Sequence, residues 1–356
     1  MKIADRQVGD GCPVFIVAEI SANHSGSLET AKQTIRAAAK AGADAVKLQT
    51  YTADSITLSV RRAEFLIEGS PPWGGRYLHD LYKSAHTPYG WHAELFDVAH
   101  NCGLVCFSSP FDCDAVDFLE TLNTPAYKIA SPEINDVGLI QRVAKTGKPV
   151  IFSTGLADHA DIDLALDVCR DAGNDQIAIL KCTSAYPAEP GDSHLQLIPE
   201  LSRRFSVIGG LSDHTLGVEA PVAAVALGAR IIEKHIVLTG ETESEDAHFS
   251  MKETEFAQMV SAIRRTEAMV SGLSELPDPK AFDAYRYRRS LFVAEDISKG
   301  ELLTKDNILS VRPGYGLHPK YLQDVIGCTA SRNLNKGEPL ELEMICRVDA
   351  AQYSTE

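Results

Sequence analysis

The chain has 356 residues, of which 44% are hydrophobic and 23% are charged, and its formal net charge is −15. This composition is typical of a globular protein, and the negative charge argues against nucleic acid or an anionic membrane as a partner. The N-terminus has no apolar signal core, and no run of residues reaches transmembrane length. The eight cysteines form no C-x-x-C pair, which favours reduced thiols and a cytoplasmic location.

Short apolar runs alternate with segments of helical periodicity between residues 14 and 271. The apolar runs predict strands at residues 14–18, 45–46, 104–107, 126–127, 150–152, 177–180, 207–208 and 230–232. The periodic segments predict helices at residues 28–41, 91–101, 115–122, 139–145, 162–172, 194–204, 217–227 and 253–271. This alternation predicts a (β/α)₈ barrel, with a doubly wound open sheet as the alternative. We favour the barrel because polar residues follow every strand, whereas an open sheet would concentrate them near one switch point.

In a barrel, the carboxyl ends of all the strands converge on one mouth, and active sites are built there. The polar residues that follow the predicted strands therefore become neighbours. They are Glu19, Lys47, Gln49, Ser109, Lys128, Ser131, Glu133, Ser153, Ser184, Tyr186, Ser212, His214 and His235.

The last two predicted strands each lead into a histidine, and His214 and His235 lie 21 residues apart. The residues between them supply one crossover helix, so we expect the two strands to be adjacent. Two imidazoles at adjacent strand ends can share one divalent metal ion, although each alone also fits a satisfied core histidine. The pairing favours the metal site. Asp213 would either orient a metal ligand or cap the following helix.

Lys47 and Lys128 end two other strands, and several serines lie beside them at the mouth. Two ammonium groups with hydroxyls form a cradle for phosphate or carboxylate. A lysine at a strand end can instead form a Schiff base or a structural ion pair, but hydroxyl neighbours suit a charged lysine that binds an anion. Glu19 and Glu133 are candidates for proton transfer or for positioning water. The residues alone leave the reaction open between a metal-dependent aldol-type condensation and a hydrolysis.

A long insertion separates the second and third predicted strands, at residues 51–90. Loops of this length in compact domains are usually functional. It is rich in aromatic residues, namely Trp73, Tyr77, Tyr82, Tyr89 and Trp91. These side chains would either pack on the barrel as structure or form a wall that meets the substrate.

The character of the sequence changes after residue 272, where Pro-rich residues are followed by short β-like runs and Gly turns. We therefore predict a barrel domain at residues 1–273, a linker at 274–287 and a small β-rich domain at 288–350. A domain of this size is marginal for standing alone. A linker this long would let it cross to a neighbouring chain.

Motifs along nearly the whole chain resemble the sialic acid synthase family. They are Ile-Ser-Ala-Asn-His-Ser-Gly (20–26), Lys-Leu-Gln-Thr-Tyr (47–51), Ser-Ser-Pro-Phe (108–111), Tyr-Lys-Ile-Ala-Ser (127–131), Ser-Thr-Gly (153–155), Cys-Thr-Ser-Ala-Tyr-Pro (182–187), Gly-Leu-Ser-Asp-His-Thr (210–215) and Glu-Lys-His (233–235). The residues that follow position 290 are similar to the antifreeze-like (SAF) domain of these enzymes. The resemblance implies the same fold, a (β/α)₈ barrel followed by a SAF domain.

The resemblance also implies roles for residues at the mouth. Phosphoenolpyruvate would be held by Lys47, Ser109, Lys128, Ser131, Ser153, Ser184 and Ser212. A divalent ion, Mn²⁺ with Mg²⁺ or Co²⁺ as alternatives, would be held by His214 and His235 and act as a Lewis acid on a sugar aldehyde. Glu19 and Glu133 would place and deprotonate a water molecule. The amino sugar would be contacted by Gln49, Tyr186, Asp246 and Arg312.

Within this family, residues 81–92 look like those of pseudaminic acid synthases, which condense phosphoenolpyruvate with 2,4-diacetamido-2,4,6-trideoxy-L-altrose. Sialic acid synthases proper usually carry Asn where this chain has Ser184. A synthase for legionaminic or N-acetylneuraminic acid is the alternative, and a Schiff-base aldolase or a glycan-binding protein is more distant. The family's small domain reaches over the other subunit's barrel in a domain-swapped homodimer, so Arg312 would serve the other chain's site.

Overall fold

The computed structural model describes residues 1–69, 73–241, 243–271 and 286–347. The chain divides into two compact units, Met1–Ser271 and Gly272–Glu356. The linker predicted at 274–287 lies outside the described residues, apart from Arg286 and Tyr287. The predicted domain boundaries stay predictions, and each unit is described by itself.

Parallel strands form a closed barrel in the first unit. A hairpin of β1 (Lys2–Ile3) and β2 (Arg6–Gln7) precedes it. The barrel strands are β3 (Phe15–Glu19), β4 (Ala45–Thr50), β5 (Val105–Pro110), β6 (Tyr127–Ile129), β7 (Val150–Ser153), β8 (Ile177–Cys182), β9 (Ile208–Asp213) and β10 (Ile231–Val237). Each pairs with the next, and β10 pairs with both β9 and β3, which closes the cylinder. The predicted (β/α)₈ barrel is confirmed, and the open sheet is wrong.

Helices surround this barrel. They are α1 (Leu28–Ala41), α2 (Ala53–Ile56), α3 (Leu78–Ala85), α4 (Tyr89–Asn101), α5 (Cys113–Thr121), α6 (Val137–Ala144), α7 (His159–Asp171), α8 (Leu197–Phe205), α9 (Glu219–Ala226) and α10 (Glu253–Val270). In α1, the Ser27 hydroxyl accepts a hydrogen bond from the Thr30 amide, and the helix ends at Gly42 with a φ of 91°. No helix in the described ranges is long and apolar enough to cross a bilayer.

The strands extend further than the apolar runs predict, because polar residues at the mouth are part of the strands. Strand β4 continues through Lys47 and Gln49 to Thr50, and β10 continues through Glu233 and His235 to Val237. Both neighbours supply backbone hydrogen bonds to a barrel strand, so a polar side chain does not end it when that side chain finds partners in the mouth.

The insertion at residues 51–90 is largely structured. It contains α2, α3, a short 3₁₀ helix at Ala63–Phe65 and an isolated bridge between Leu66 and Tyr77. The following helix, α4, begins at Tyr89, two residues before the predicted start. A further short strand, β11 (Met251–Lys252), pairs with the end of β10 just before α10.

The second unit contains two small antiparallel pairs, β12 (Ser290–Val293) with β13 (Ile308–Val311) and β14 (Thr329–Ala330) with β15 (Ile345–Cys346). A four-residue helix, α11 (Leu322–Val325), lies between them in the chain. The unit has its own apolar core, which includes Leu291, Leu334 and Leu340.

Candidate active site

The carboxyl ends of the strands bring together a buried group of charged and hydroxyl side chains that we call the lysine layer. It consists of Glu19, Lys47, Lys128 and Glu233 with Ser109, Ser153 and Ser212. Strand pairing places its members side by side, because Glu19 is in register with Lys47 and Ser212 with Glu233. Each of the four charged residues is at most 5% exposed.

Lys47 lies at the centre of the layer. Its Nζ forms an ion pair with Glu19 Oε2, lies 3.8 Å from Glu233 Oε1 and donates to Ser109 Oγ at 3.3 Å. Gln49, two residues further along β4, donates from Nε2 to Glu19 Oε1 at 3.4 Å. Lys47 and Gln49 therefore lie on one face of the strand, as alternation of side chains requires.

Lys128 extends the layer on β6. Its Nζ donates to Ser153 Oγ at 2.6 Å and to the Ile129 carbonyl at 3.3 Å, and it lies 3.9 Å from Glu233 Oε1. Ser212 donates to the same Glu233 oxygen at 3.1 Å. Two ammonium groups therefore converge on one carboxylate, and an anion that enters the mouth would compete with that carboxylate for both.

Glu233 is a member of the site that the sequence reasoning did not assign. It lies two residues before His235 on β10, so both side chains point into the barrel. The spacing of two residues between Glu233 and His235 could have shown from the sequence that both side chains lie on one face of the strand. Burial opposes ionisation of Glu233, but the charges of Lys128 and Lys47 outweigh it and hold its pKa below the usual range.

Burial shifts the pKa values of the other charged groups as well. It raises the pKa of Glu19 to about 7, against the attraction of Lys47. It also lowers the pKa of Lys128. For Lys47, burial acts in the same direction, but the carboxylates of Glu19 and Glu233 outweigh it and raise the pKa. Lys47 therefore stays charged.

Ser131 and Ser184 meet at Gly155, which follows strand β7. The Gly155 amide donates to Ser131 Oγ at 2.9 Å. An ideal Cβ on Gly155 would lie 2.2 Å from Ser184 Oγ and 3.0 Å from Ser131 Oγ, so only glycine lets the two hydroxyls approach this closely. The Ser184 Oγ is buried and has no hydrogen-bond partner in the described part of the chain. It is available to a ligand.

The second half of the mouth is the histidine edge, which we define as His214, His235, Tyr186, Asp246 and Phe249. The two imidazole rings have centroids 5.4 Å apart. Tyr186 packs on His214 at 4.4 Å, and Phe249 packs on His235 at 4.7 Å. Asp246 Oδ2 lies 3.9 Å from His235 Nδ1. The predicted pairing of the histidines at adjacent strands is therefore present.

Of the two histidines, His235 is held neutral, whereas burial of His214 is outweighed by Cys182 and the Thr183 carbonyl, which raise the pKa of His214, so a metal ion there would displace a proton. His214 Nδ1 lies 2.8 Å from the Thr183 carbonyl, a contact that requires hydrogen on Nδ1, so Nε2 is the nitrogen that a metal ion would use once His214 is deprotonated. His235 Nδ1 is buried without a hydrogen-bond partner in the residues described. Burial, followed by the neighbouring His214, holds the pKa of His235 well below its usual range, so its imidazole is neutral.

His214 and His235 are the two candidate ligands in the part of the chain that the structure describes. In the described ranges, no group of three or more His, Cys, Asp or Glu residues is arranged to hold a metal. A divalent ion held by His214 and His235 would therefore keep positions for water or substrate oxygen, which is the arrangement of a catalytic site rather than a structural one.

Asp213 has neither of the two roles considered from the sequence. Its carboxylate forms a buried ion pair with Lys234 and accepts hydrogen bonds from the amide and hydroxyl of Thr215, at 3.0 and 3.1 Å. Asp213 and Lys234 directly precede the two histidines. Because neighbouring side chains point to opposite faces of a strand, this pair joins β9 to β10 on the outer face of the barrel.

Glu133 lies in a short 3₁₀ helix after β6, at Ser131–Glu133. Its Oε2 is buried and has no hydrogen-bond partner in the part of the chain described. Burial raises the pKa of Glu133 to about 7, against the attraction of Lys128. A carboxylate with a free oxygen and a pKa near neutrality is suited to accept a proton from water.

Two expectations need qualification. Of the aromatic residues predicted to form a wall, Trp73 packs on Tyr186 and Phe249, but Tyr82 packs on Tyr51, and Trp91, which lies in α4, packs on His24. Most of this aromatic content is therefore structural. Arg312, the remaining predicted sugar contact, is exposed at the end of β13 in the second unit.

The closed barrel and the polar groups at its mouth define the protein as a (β/α)₈-barrel enzyme with its site at the carboxyl ends of the strands. The model of the NeuB family matches residues 34–274, and that of the SAF domain matches residues 288–345. The chain belongs to the NeuB family.

Relatives of known name cover almost the whole chain. Pseudaminic acid synthase from Campylobacter jejuni (strain 81-176) is 47% identical over 92% of this chain and 95% of its own length. Pseudaminic acid synthase from Helicobacter pylori is 44% identical, over 94% and 98%. The crystal structure of N-acetylneuraminic acid (sialic acid) synthetase from Leptospira borgpetersenii in complex with citrate superposes with a TM-score of 0.72 at 28% identity, covering 81% of this chain and 95% of that one. NeuB-family synthases are generally metal-dependent.

Proposed function

We propose that this chain is a pseudaminic acid synthase. It condenses phosphoenolpyruvate with 2,4-diacetamido-2,4,6-trideoxy-L-altrose and water, and the products are pseudaminic acid and phosphate. The observation that carries the proposal is the lysine layer lying beside the paired histidines in one barrel mouth. The 44–47% identity to pseudaminic acid synthases supports this amino sugar over the acceptors of legionaminic or N-acetylneuraminic acid synthases.

Phosphoenolpyruvate binds in the lysine layer. The phosphate and carboxylate of phosphoenolpyruvate replace Glu233 and Glu19 as partners of the two ammonium groups. The hydroxyl groups then orient it, and they belong to Ser109, Ser131, Ser153, Ser184 and Ser212. Because Ser184 Oγ has no hydrogen-bond partner in the described residues, Ser184 can donate to the anion without breaking an existing hydrogen bond.

The amino sugar binds at the histidine edge, where Tyr186 and Asp246 contact it, and Gln49 contacts it from β4. His214 and His235 would hold a divalent ion, Mn²⁺ by preference, which would supply Lewis-acid polarisation of the sugar aldehyde oxygen. The rings of Tyr186 and Phe249 present an apolar surface to the aldehyde.

The reaction forms a C–C bond and a C–O bond from water to C2, and it breaks the C–O bond between C2 and the phosphate oxygen. C3 of phosphoenolpyruvate attacks the aldehyde carbon, and C2 becomes electron-deficient. Glu133 takes a proton from the water molecule that adds to C2, because its Oε2 is free and its pKa is about 7. Glu19, which contacts Lys47 and Gln49, positions that water. Phosphate then leaves with the oxygen that had joined it to C2.

The experiment for this proposal supplies phosphoenolpyruvate together with each candidate amino sugar, and it measures phosphate release and product mass. We expect the highest kcat/KM with the 2,4-diacetamido-L-altrose sugar. A higher kcat/KM with N-acetylmannosamine or the legionaminic acid precursor would overturn the choice of sugar. A Schiff-base aldolase would instead survive chelation and be inactivated by borohydride in the presence of substrate.

We propose, in addition, a domain-swapped homodimer in which Arg312 of one chain serves the site of the other. The support is the family resemblance and the planar guanidinium, which suits an amide carbonyl or carboxylate of the sugar. Mixing Arg312→Ala with Lys128→Ala subunits tests it. Exchange of subunits should restore activity, because one site of each mixed dimer has both residues. Mixed dimers without restored activity would contradict the proposal. The cytoplasmic location stays a prediction.

A further inference from the structure

The insertion at residues 51–90 contacts the loop that carries part of the histidine edge. This loop, residues 243–250, follows β10 and contains Asp246 and Phe249. Arg76 of the insertion donates from Nη1 to both carboxylate oxygens of Glu245, at 2.8 and 2.7 Å. Ser84 in α3 accepts from Arg76 Nη2 at 2.8 Å and donates to Glu245 Oε1 at 2.5 Å. Arg76, Ser84 and Glu245 form what we call the clamp.

Trp73 makes a second attachment between the same two segments. Its indole Nε1 donates to the Glu245 carbonyl at 3.1 Å. Its ring packs edge-on against His248 and Phe249, with centroids 5.3 and 6.2 Å away. Phe249 in turn packs on His235. The loop is therefore held from the insertion through both its backbone and its side chains.

The other side of the loop is attached to the turn that follows β3. Ser244 Oγ donates to Asn23 Oδ1 at 2.7 Å, and the Ala22 amide donates to Asp246 Oδ2 at 3.4 Å. Glu245 lies between Ser244 and Asp246 and faces the insertion instead. Without the clamp, the loop would keep its attachment to the β3 turn and the Trp73 contacts, and it would lose the ionic contact of the Glu245 carboxylate with the insertion.

We infer that the clamp positions Asp246 and Phe249 for the amino sugar, so that Arg76, Ser84 and Glu245 are positioning residues for the acceptor half of the reaction. The inference rests on the proposed function for the identity of the acceptor. It assigns the insertion a specific role, which is to fix the geometry of the histidine edge from outside the barrel. The lysine layer has no contact with the clamp residues in the bonds described above, so phosphoenolpyruvate binding is independent of it.

The test compares Arg76→Met with Arg61→Met. Arg61 is a matched control because it donates from Nη2 to Asp80 Oδ1 at 3.0 Å, within the insertion, and has no bond to the 243–250 loop. We expect Arg76→Met to raise the KM of the amino sugar about 10-fold while the KM of phosphoenolpyruvate stays within about 2-fold. Arg76→Lys keeps the positive charge but not the planar guanidinium group, so it should raise the KM of the amino sugar less than Arg76→Met does.

Amide hydrogen exchange in the substrate-free protein gives a second readout. Exchange across residues 243–250 should accelerate in Arg76→Met and stay unchanged in Arg61→Met. Equal KM increases for both substrates, or the same effects in Arg61→Met, would overturn the inference. So would unchanged exchange in Arg76→Met. If the wild-type protein turns over no amino sugar, the proposed function fails, and hydrogen exchange alone still decides whether the clamp holds the loop.

Discussion

The lysine layer lies on barrel strands, whereas the histidine edge takes Asp246, Phe249 and Tyr186 from loops. Both ammonium groups of the lysine layer have a carboxylate or a hydroxyl of the layer as a partner, although Glu233 Oε2 has no hydrogen-bond partner in the described residues. At the histidine edge, by contrast, aromatic rings make most of the contacts. The donor substrate would therefore meet a preformed set of charges, and the acceptor a surface that depends on loop placement.

This difference indicates where specificity resides. Strand positions are fixed by backbone pairing on both sides, so they suit the substrate that a whole family of synthases shares. Loops change more readily than strands, so they suit the part of the substrate that differs between relatives. The predictions that follow test whether the two regions act separately.

The largest effect is expected for Lys128→Met, which removes an ammonium group from the lysine layer. We expect kcat/KM for phosphoenolpyruvate to fall on the order of 10³-fold, because the charge and a buried hydrogen-bond donor are both lost. Steady-state phosphate release measures it. The control is Lys148→Met, which breaks the pair with Glu120 at 2.6 Å on the outside of the barrel. A loss below about 10-fold would contradict the assignment of Lys128 to the anion.

The next effect separates the two regions directly. His235→Gln should weaken Mn²⁺ binding by about 100-fold, as measured by electron paramagnetic resonance of free Mn²⁺, because one of two imidazole ligands is removed. Phosphoenolpyruvate binding, measured by calorimetry without metal, should stay within about 3-fold of wild type. Chelation of the wild-type protein should abolish turnover, and Mn²⁺ should restore it. His100→Gln, in the last turn of α4, is the control. If His235→Gln weakened the binding of Mn²⁺ and of phosphoenolpyruvate by the same factor, the lysine layer and the histidine edge would not act separately.

A smaller effect is expected at the contact between Ser131 and Ser184. In Gly155→Ala, the new methyl group must displace the Ser184 hydroxyl, which an ideal Cβ would approach to 2.2 Å. We expect the KM of phosphoenolpyruvate to rise about 10-fold, with little change for the amino sugar. Gly191→Ala is the matched control, because a Cβ there meets nothing within 4 Å. Identical kinetics for the two variants would remove Ser184 from the anion site.

The smallest effect concerns stability. Burial raises the pKa of Glu133 from 4.5 to about 7, so between these values the folded state holds a proton that the unfolded state has released. Stability attributable to this group therefore falls as pH rises through that window and is constant above it. Glu133→Gln removes the free-energy cost of ionising this buried carboxyl group. We expect it to be more stable than wild type by about 1–3 kcal/mol at pH 8 and equally stable at pH 4.

Chemical denaturation of both proteins at the two pH values measures this difference. The control is Glu64→Gln, on the exposed surface of the insertion. A variant at Glu133 that is less stable than wild type at pH 8 would show that its carboxylate has a partner that stabilises the charged form.

Much of the lysine layer follows from the sequence, because apolar runs that end in polar residues predict barrel strands and alternation places those residues on one face. Glu233 could have been found in the same way, from its spacing to His235. The contact between Arg76 and Glu245 could not, because 169 residues separate them and no local pattern encodes a loop-to-loop contact. The partners of Asp213 were likewise hidden, since a carboxylate before a helix fits a cap as well as an ion pair.

The central claim, condensation with C–O cleavage at this site, is tested most directly by isotope labelling. Phosphoenolpyruvate with ¹⁸O at the oxygen joining C2 to phosphorus is supplied with the diacetamido-altrose sugar, and both products are analysed by mass spectrometry. The account predicts a nine-carbon acid without the label and phosphate that carries it, because water supplies the new oxygen at C2. Label retained in the sugar acid, or labelled pyruvate released without a nine-carbon product, would contradict it.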